Sequence, residues 1–350
     1  MNKTSAPPRD AGIDMIKAAA ILGVLLLHTS TDGYSAPILS FQWTSAIVWG
    51  GVVRASVPLF LMCSGALLLP PEKDLPLRRL FGKNFLKIVV SMLVWALFYK
   101  VFHLLAGGAL TGAALWQAVK EVLVLNQEFH LYYLHIILLV YAFLPLTRSF
   151  VRHADERTLR YALGLWFALG ILYPTARPFW PFTLLSGIPL QWMMNMTYAS
   201  IGYGLLGYWL VRHLPSVRAA ALLTAAGVAV VLLPTIVLSA RAGALNITFL
   251  EGMSVGVCLL AAGLFSLLYR FGQRTAQRPV GALARQLSKA SFCIFLVHVV
   301  WLNVFPHFGL TANSFPAIVS IPVLSACNAA LSYLCWLALS RIPFVRRWLV

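Results

Sequence analysis

The sequence predicts an all-α integral membrane protein: about ten transmembrane helices in one bundle, with both termini on the cytoplasmic side. Three observations predict this. Of 350 residues, 60% are hydrophobic and only 11% charged, where a soluble domain carries about 25% charged residues; the mean hydropathy is +0.81. Several apolar runs exceed the roughly 20 residues that cross a bilayer core. The segments between the runs alternate between rich and poor in basic residues, as the positive-inside rule requires.

Taken in order, hydropathy predicts helices near 13–32, 43–69, 84–106, 131–149, 159–175, 191–211, 218–238, 246–269, 289–306 and 316–340. One set of flanking segments holds Lys3 and Arg9; Arg78, Arg79, Lys83 and Lys87; Arg148, Arg152, Arg157 and Arg160; Arg212 and Arg218; Arg270, Arg274, Arg278, Arg285 and Lys289; and Arg341, Arg346 and Arg347. The other set offers little beyond Lys120, Arg177 and Arg241. The net charge of +17 therefore marks one membrane face, which meets anionic lipid, and no nucleic-acid partner is expected. The opening "MNKTSAPPRDAG" is polar and the run after it is long enough to remain as a span, so no cleavable signal peptide is expected. No linker or soluble insertion stands out, and 1–350 reads as one polytopic domain without internal repeats. The longest outer connections are 107–130 and 174–190, the second rich in proline and aromatics. Cys63, Cys258, Cys293, Cys327 and Cys335 fall in apolar runs without ligand spacing, which points to small core residues and to no metal.

Ionisable groups inside spans are costly, so they face a cavity or one another. Lys17 and His28 are eleven residues apart, about 20° past three full turns, and so share a helix face with roughly 16 Å of rise between them. Asp14 lies one turn from Lys17, at a spacing that permits an ion pair, and too far from His28 to orient it. A long ligand with an anionic head and a reactive tip suits that line. Lys17 snorkelling to headgroups and His28 at the interface fit the same pattern. Arg54, inside "WGGVVRASVPLFLMCSGALLL", needs a partner: either Glu251 or a substrate group. "FHLYYLHIILLVYAFLPLTR" clusters His130, Tyr132, Tyr133 and His135 at an outer end, where belt tyrosines are ordinary. His298, in "SKASFCIFLVHVVWLN", reads as a buried histidine on an apolar face.

Together these segments resemble the bacterial membrane acyltransferases of acyltransferase family 3, particularly the branch containing the O-acetyltransferase of enterobacterial common antigen. "DMIKAAAILGVLLLH" is similar to the first-helix motif, in which a basic residue, usually arginine, precedes a histidine by eleven positions; here it is Lys17. "VRASVPLFLMCSGALLL", "PLRRLFGKNFLKIVVSMLVWALFY", "HLYYLHIILLVYAFLPLTR", "YASIGYGLLGYWL" and "SKASFCIFLVH" resemble later family segments in order.

The resemblance implies transfer of an acyl group, acetyl above others, from cytoplasmic acyl-CoA to a hydroxyl of an envelope glycan or lipid-linked sugar at a bacterial inner membrane. His28 would be the catalytic histidine, acting as base near its unperturbed pKa of about 6.5 or as a transient acyl carrier. Lys17, Arg78, Arg79 and Lys83, with Lys87 as an alternative, would hold the CoA phosphates, although lysine lacks the bidentate fork of arginine. Arg54 would stabilise the oxyanion, with Glu251 neutralising it. His130 and Tyr133 would bind the acceptor, and His298 would support the site. Acyl-CoA is expected as co-substrate rather than resident cofactor, and self-association is left open. The rival expectation is a transporter or flippase for a lipid-linked anion, which a basic mouth and buried arginine also suit.

Overall fold

The structure, a computed structural model, describes residues 9–350; Lys3 lies outside the described residues. All regular elements among them are helical. Helix α1 (Ala11–Thr31) starts where the Asp10 carboxylate accepts from the backbone N–H groups of Gly12 and Ile13, satisfying donors that the first turn leaves free. Helices α2 (Phe41–Val52) and α3 (Ser56–Leu68) divide what hydropathy reads as one span. The cause is Pro58. It has no N–H for the carbonyl four residues earlier, that of Arg54, and it sits in the first turn of α3, where proline is best tolerated, whereas Pro145, Pro234 and Pro322 lie inside unbroken helices. The chain therefore restarts at Ser56, and Arg54 sits in the three-residue break.

Helix α4 (Leu77–Arg79) leads through a π-helical turn at Leu80–Phe85 into α5 (Leu86–Ala106). The connection after it folds as a short amphipathic helix, α6 (Gly112–Leu123), clasped to α5 by Lys100 and Glu121 at 2.5 Å. That hydrogen bond holds the Glu121 carboxyl below the usual carboxylate range. Helix α7 (Tyr132–His153) is followed by α8 (Glu156–Trp166), a second π-helical stretch at Phe167–Leu172, and α9 (Tyr173–Ala176). Then come α10 (Met196–Arg212), α11 (Val217–Ala242), α12 (Val255–Arg274), α13 (Pro279–Val304), α14 (Ala317–Leu339) and the short α15 (Pro343–Trp348).

Eight segments among the described residues are long and apolar enough to cross a membrane: Ala11–Ser35, Phe41–Leu68, Leu77–Ala106, Phe129–His153, Val217–Ala242, Val255–Arg274, Pro279–Phe308 and Ala317–Leu339. The other two sequence-predicted spans differ for local reasons. That at 159–175 is helical throughout, but Arg160, Tyr161, Pro174 and Thr175 dilute its apolar character, and 191–211 loses its first turn because the helix starts only after the Asn195 cap. The span predicted from 246 begins at Val255 instead, where the Ser254 side chain caps the helix, so Glu251 lies in a loop. Cys63, Cys258 and Cys293 are buried as expected of core residues, but Cys327 is exposed.

Helix α1 is central: it packs against α2, α3, α12, α13 and α14. Helix α3 lies tight on α10 because Gly65 faces Gly204, and Gly207 faces the Met62 carbonyl, with no room for a Cβ at Gly65 or Gly207. Small residues at such crossings let backbones meet closely. Helix α11 is peripheral, burying little more than one line of small side chains (Ala220, Gly227, Val231, Thr235 and Ser239) against α12.

Candidate functional site

The central helix carries both of its polar landmarks into cavities. Lys17 lines one of about 300 Å³, together with Ser64, Asn84, Lys87, Tyr133 and Phe295. His28 lines another of about 330 Å³, with Arg54, Tyr132, Ser200, Glu251 and Met253.

His28 meets a partner that lies 270 residues away in sequence. Its Nδ1 is 2.7 Å from Nε2 of His298, and the two rings are nearly parallel at 19°. His298 is fully buried, and its Nδ1 is 2.7 Å from the backbone oxygen of Phe295. A carbonyl only accepts, so Nδ1 of His298 carries the hydrogen. In the neutral imidazole Nε2 is then an acceptor, and Nδ1 of His28 donates to it. This leaves the Nε2 of His28 as a lone-pair nitrogen with no partner among the described residues. The chain of bonds continues into α14: Asn328 donates to the His298 carbonyl at 3.1 Å, and Ser332 donates to the Asn328 side-chain oxygen at 3.0 Å. Phe129 packs edge-on against His28 at 5.3 Å. Such a histidine can take a proton from a hydroxyl or attack a carbonyl carbon.

Arg54 reaches the same cavity from the break between α2 and α3. It donates through Nε to the backbone oxygen of Leu250 and forms no ion pair with Glu251, contrary to the sequence expectation. The two side chains share the cavity instead, because Glu251 stands in a loop rather than on a facing helix. The loop is held from three sides: by Arg54, by Tyr203 donating to the Gly252 oxygen at 2.9 Å, and by the Val255 N–H on Thr175 at 3.1 Å.

At the other end of α1, Asp14 does not pair with Lys17. Arg9 binds it through two bonds of 2.6 and 3.1 Å and Ser288 through one of 2.6 Å. Lys17 is left free to face its cavity. Lys87 joins it there, its Nζ 2.6 Å from the Val350 oxygen and 5.4 Å from the Phe292 ring centre. Arg78, Arg79 and Lys83 do not line this cavity; they are exposed along the entry to α5, Lys83 directly before the cavity-lining Asn84 and the two arginines more than a turn before it.

His130 and Tyr133 do not line the His28 cavity. Tyr133 faces the Lys17 cavity and packs on Phe60 and Phe295. His130 is fully buried among Tyr99, Phe129, Phe295 and His298, with neither ring nitrogen hydrogen-bonded to a side chain or backbone group among the described residues. The neighbour Tyr132, about 100° round the helix from Tyr133, is the tyrosine on the His28 side. Sequence reading placed it in the outer-end cluster but gave the acceptor role to Tyr133, and it missed Asn328 and Ser332, whose i, i+4 spacing on an apolar helix was the available signal. Phe295 joins the two regions: its side chain borders the Lys17 cavity, while its carbonyl holds His298.

A family model described as an acyltransferase domain matches residues 10–337, nearly the whole chain. No curated protein and no solved structure matches it.

Proposed function

The chain belongs to the acyltransferase 3 family, and from that premise we propose that it is a membrane O-acyltransferase, with acetyl as the acyl group. It would move that group from cytoplasmic acyl-CoA to a hydroxyl of an envelope glycan or lipid-linked sugar. In this reading the chain is one catalytic unit of a bacterial inner membrane, crossing ten times with both termini cytoplasmic. The single observation that carries the reading is the bond from His28 to His298, which frees Nε2 of His28 inside a cavity.

The acyl-CoA enters at the Lys17 cavity. Lys17 meets its phosphates, with the exposed Arg78, Arg79 and Lys83 at the approach, and the pantetheine arm runs along α1 past Phe295. Nε2 of His28 takes the proton of the acceptor hydroxyl as its oxygen bonds to the thioester carbon. The oxyanion that forms lies near the Arg54 guanidinium, whose terminal nitrogens are not used by Leu250. Collapse breaks the carbon–sulfur bond, and the CoA thiolate takes the proton from His28. Charge-directed donors in a water-poor site are the main source of such stabilisation.

The test is transfer of labelled acetyl from acetyl-CoA to envelope glycan by purified protein. His28→Ala should lower turnover by about 10²–10⁴-fold, the worth of general-base assistance, while leaving acetyl-CoA binding intact. Full transfer by a well-folded His28→Ala protein removes the assignment. Movement of a lipid-linked substrate without consumption of thioester makes the protein a transporter instead.

A further inference from the structure

Beyond Glu251 lies a second recess of about 220 Å³, lined by Pro174, Thr175, Pro178, Ile247 and Thr248 and sharing Glu251 and Met253 with the His28 cavity. The shared wall is the loop anchored by Arg54, Tyr203 and Thr175, so the two spaces hold a fixed relation. The polar groups facing the recess divide into two kinds. The hydroxyls of Thr175 and Ser254 are already engaged with backbone groups. The Glu251 carboxylate and the Thr248 hydroxyl make no side-chain hydrogen bond with any described residue, and Glu251 is exposed.

We infer that this recess is a second acceptor subsite, which binds the sugar unit next to the one acylated at His28. The inference rests on the acyltransferase reading and deepens it: the acceptor is a glycan of at least two units. The chemistry of the lining chooses the ligand. A carboxylate accepts hydrogen bonds from neighbouring hydroxyls, and a threonine hydroxyl both gives and accepts. Proline, isoleucine and methionine supply apolar surface for the faces of a sugar ring. No basic side chain lines the recess, and its one charge is negative, so the phosphate of a lipid-linked sugar is repelled from it. Glu251 stands between the two units and can accept from both.

The experiment uses the full chain in lipid nanodiscs, acetyl-CoA, and deacetylated envelope glycan from the producing cells, intact and cut into fragments of one, two and three units. A hydrogen bond to a charged acceptor lowers the acceptor KM about tenfold or more. The expected result is therefore a drop of about tenfold from one unit to two, with little further change at three. Ile247→Trp, which fills the recess, and Glu251→Gln, which removes the charge, should each bring the one-unit and two-unit KM values together. Equal KM values for one and two units in the unaltered protein overturn the subsite. So does a two-unit advantage that survives both substitutions. Failure to consume acetyl-CoA with the intact glycan is a separate outcome: it sinks the acyltransferase reading and the subsite with it.

Discussion

His298 touches His28 through one ring nitrogen and a backbone carbonyl through the other, and the direction of those two bonds decides what His28 can do. If the Phe295 carbonyl holds the His298 hydrogen in place, His28 is held as the tautomer with Nε2 free. His298→Ala should then lower turnover by less than His28→Ala, because the base remains but is no longer oriented. His298→Asn, able to offer an acceptor oxygen, should recover part of the loss. Rates measured with acetyl-CoA across pH 5–9 provide the check, and a His298→Ala profile identical to that of the unaltered protein returns His298 to plain packing. Lys17 tests the other end of the helix. With Asp14 occupied by Arg9 and Ser288, its charge is available to a ligand. Lys17→Glu should raise the KM for acyl-CoA at least tenfold and Lys17→Arg should not. An unchanged KM in the Glu variant makes Lys17 a headgroup contact. The shared face of Lys17 and His28 was legible in the sequence because helix geometry fixes it. The pairing of His28 with His298 was not, since no periodicity links residues on two helices so distant in sequence. Tyr132 and Tyr133 show the same boundary: spacing brings both to one helix end, but only packing decides which cavity each meets.

The break at Val53–Ala55 puts Arg54 beside the Leu250 loop, and its cause, Pro58, was in plain view in the sequence. Hydropathy missed the break because it averages apolar character and does not register a missing N–H. The same averaging extended the span at 246–269 backwards across Glu251, where the Ser254 cap sets the true start. Capping and proline are local backbone events, and they matter most here because they set the walls of the His28 cavity. Packing of α3 against α10 holds that break in place. A Cβ on Gly65 would come within 1.8 Å of the Gly204 oxygen, with both backbones unable to yield. Gly65→Val should therefore separate the two helices, cost about 1–3 kcal/mol as overpacking does, and shift α3 relative to α1. A lower melting temperature in detergent, together with reduced turnover, is expected. Gly82→Ala, with open space around its backbone, serves as the comparison. A Gly65→Val protein that melts with wild type would mean that the tight crossing does not hold the site.

Across the whole bundle, the alternation of basic segments and the placement of the two cavities point the same way. Lys17 lies near the start of α1, at the end of the helix that Arg9 flanks, and Lys87 lies just past the Arg78, Arg79 and Lys83 entry. The Lys17 cavity is thus at the basic face and the His28 cavity is towards the face with few cations. The sequence made this polarity legible because lysine and arginine concentrate in alternate connecting segments, a bias that can be counted directly. It did not make the depth of either cavity legible, since that follows from how α1, α3, α7 and α13 meet. If the basic face is cytoplasmic, donor and acceptor reach His28 from opposite sides of the membrane. Sealed vesicles separate the two directions. Inverted vesicles, with the cytoplasmic face outward, should consume added acetyl-CoA, whereas right-side-out vesicles should consume it only after permeabilisation. A reporter fused after Val350 should report the same side as the vesicle face that takes acetyl-CoA, and one near Asn313 the opposite side. Consumption by intact right-side-out vesicles would place the Lys17 cavity on the outer face and reverse the direction of transfer.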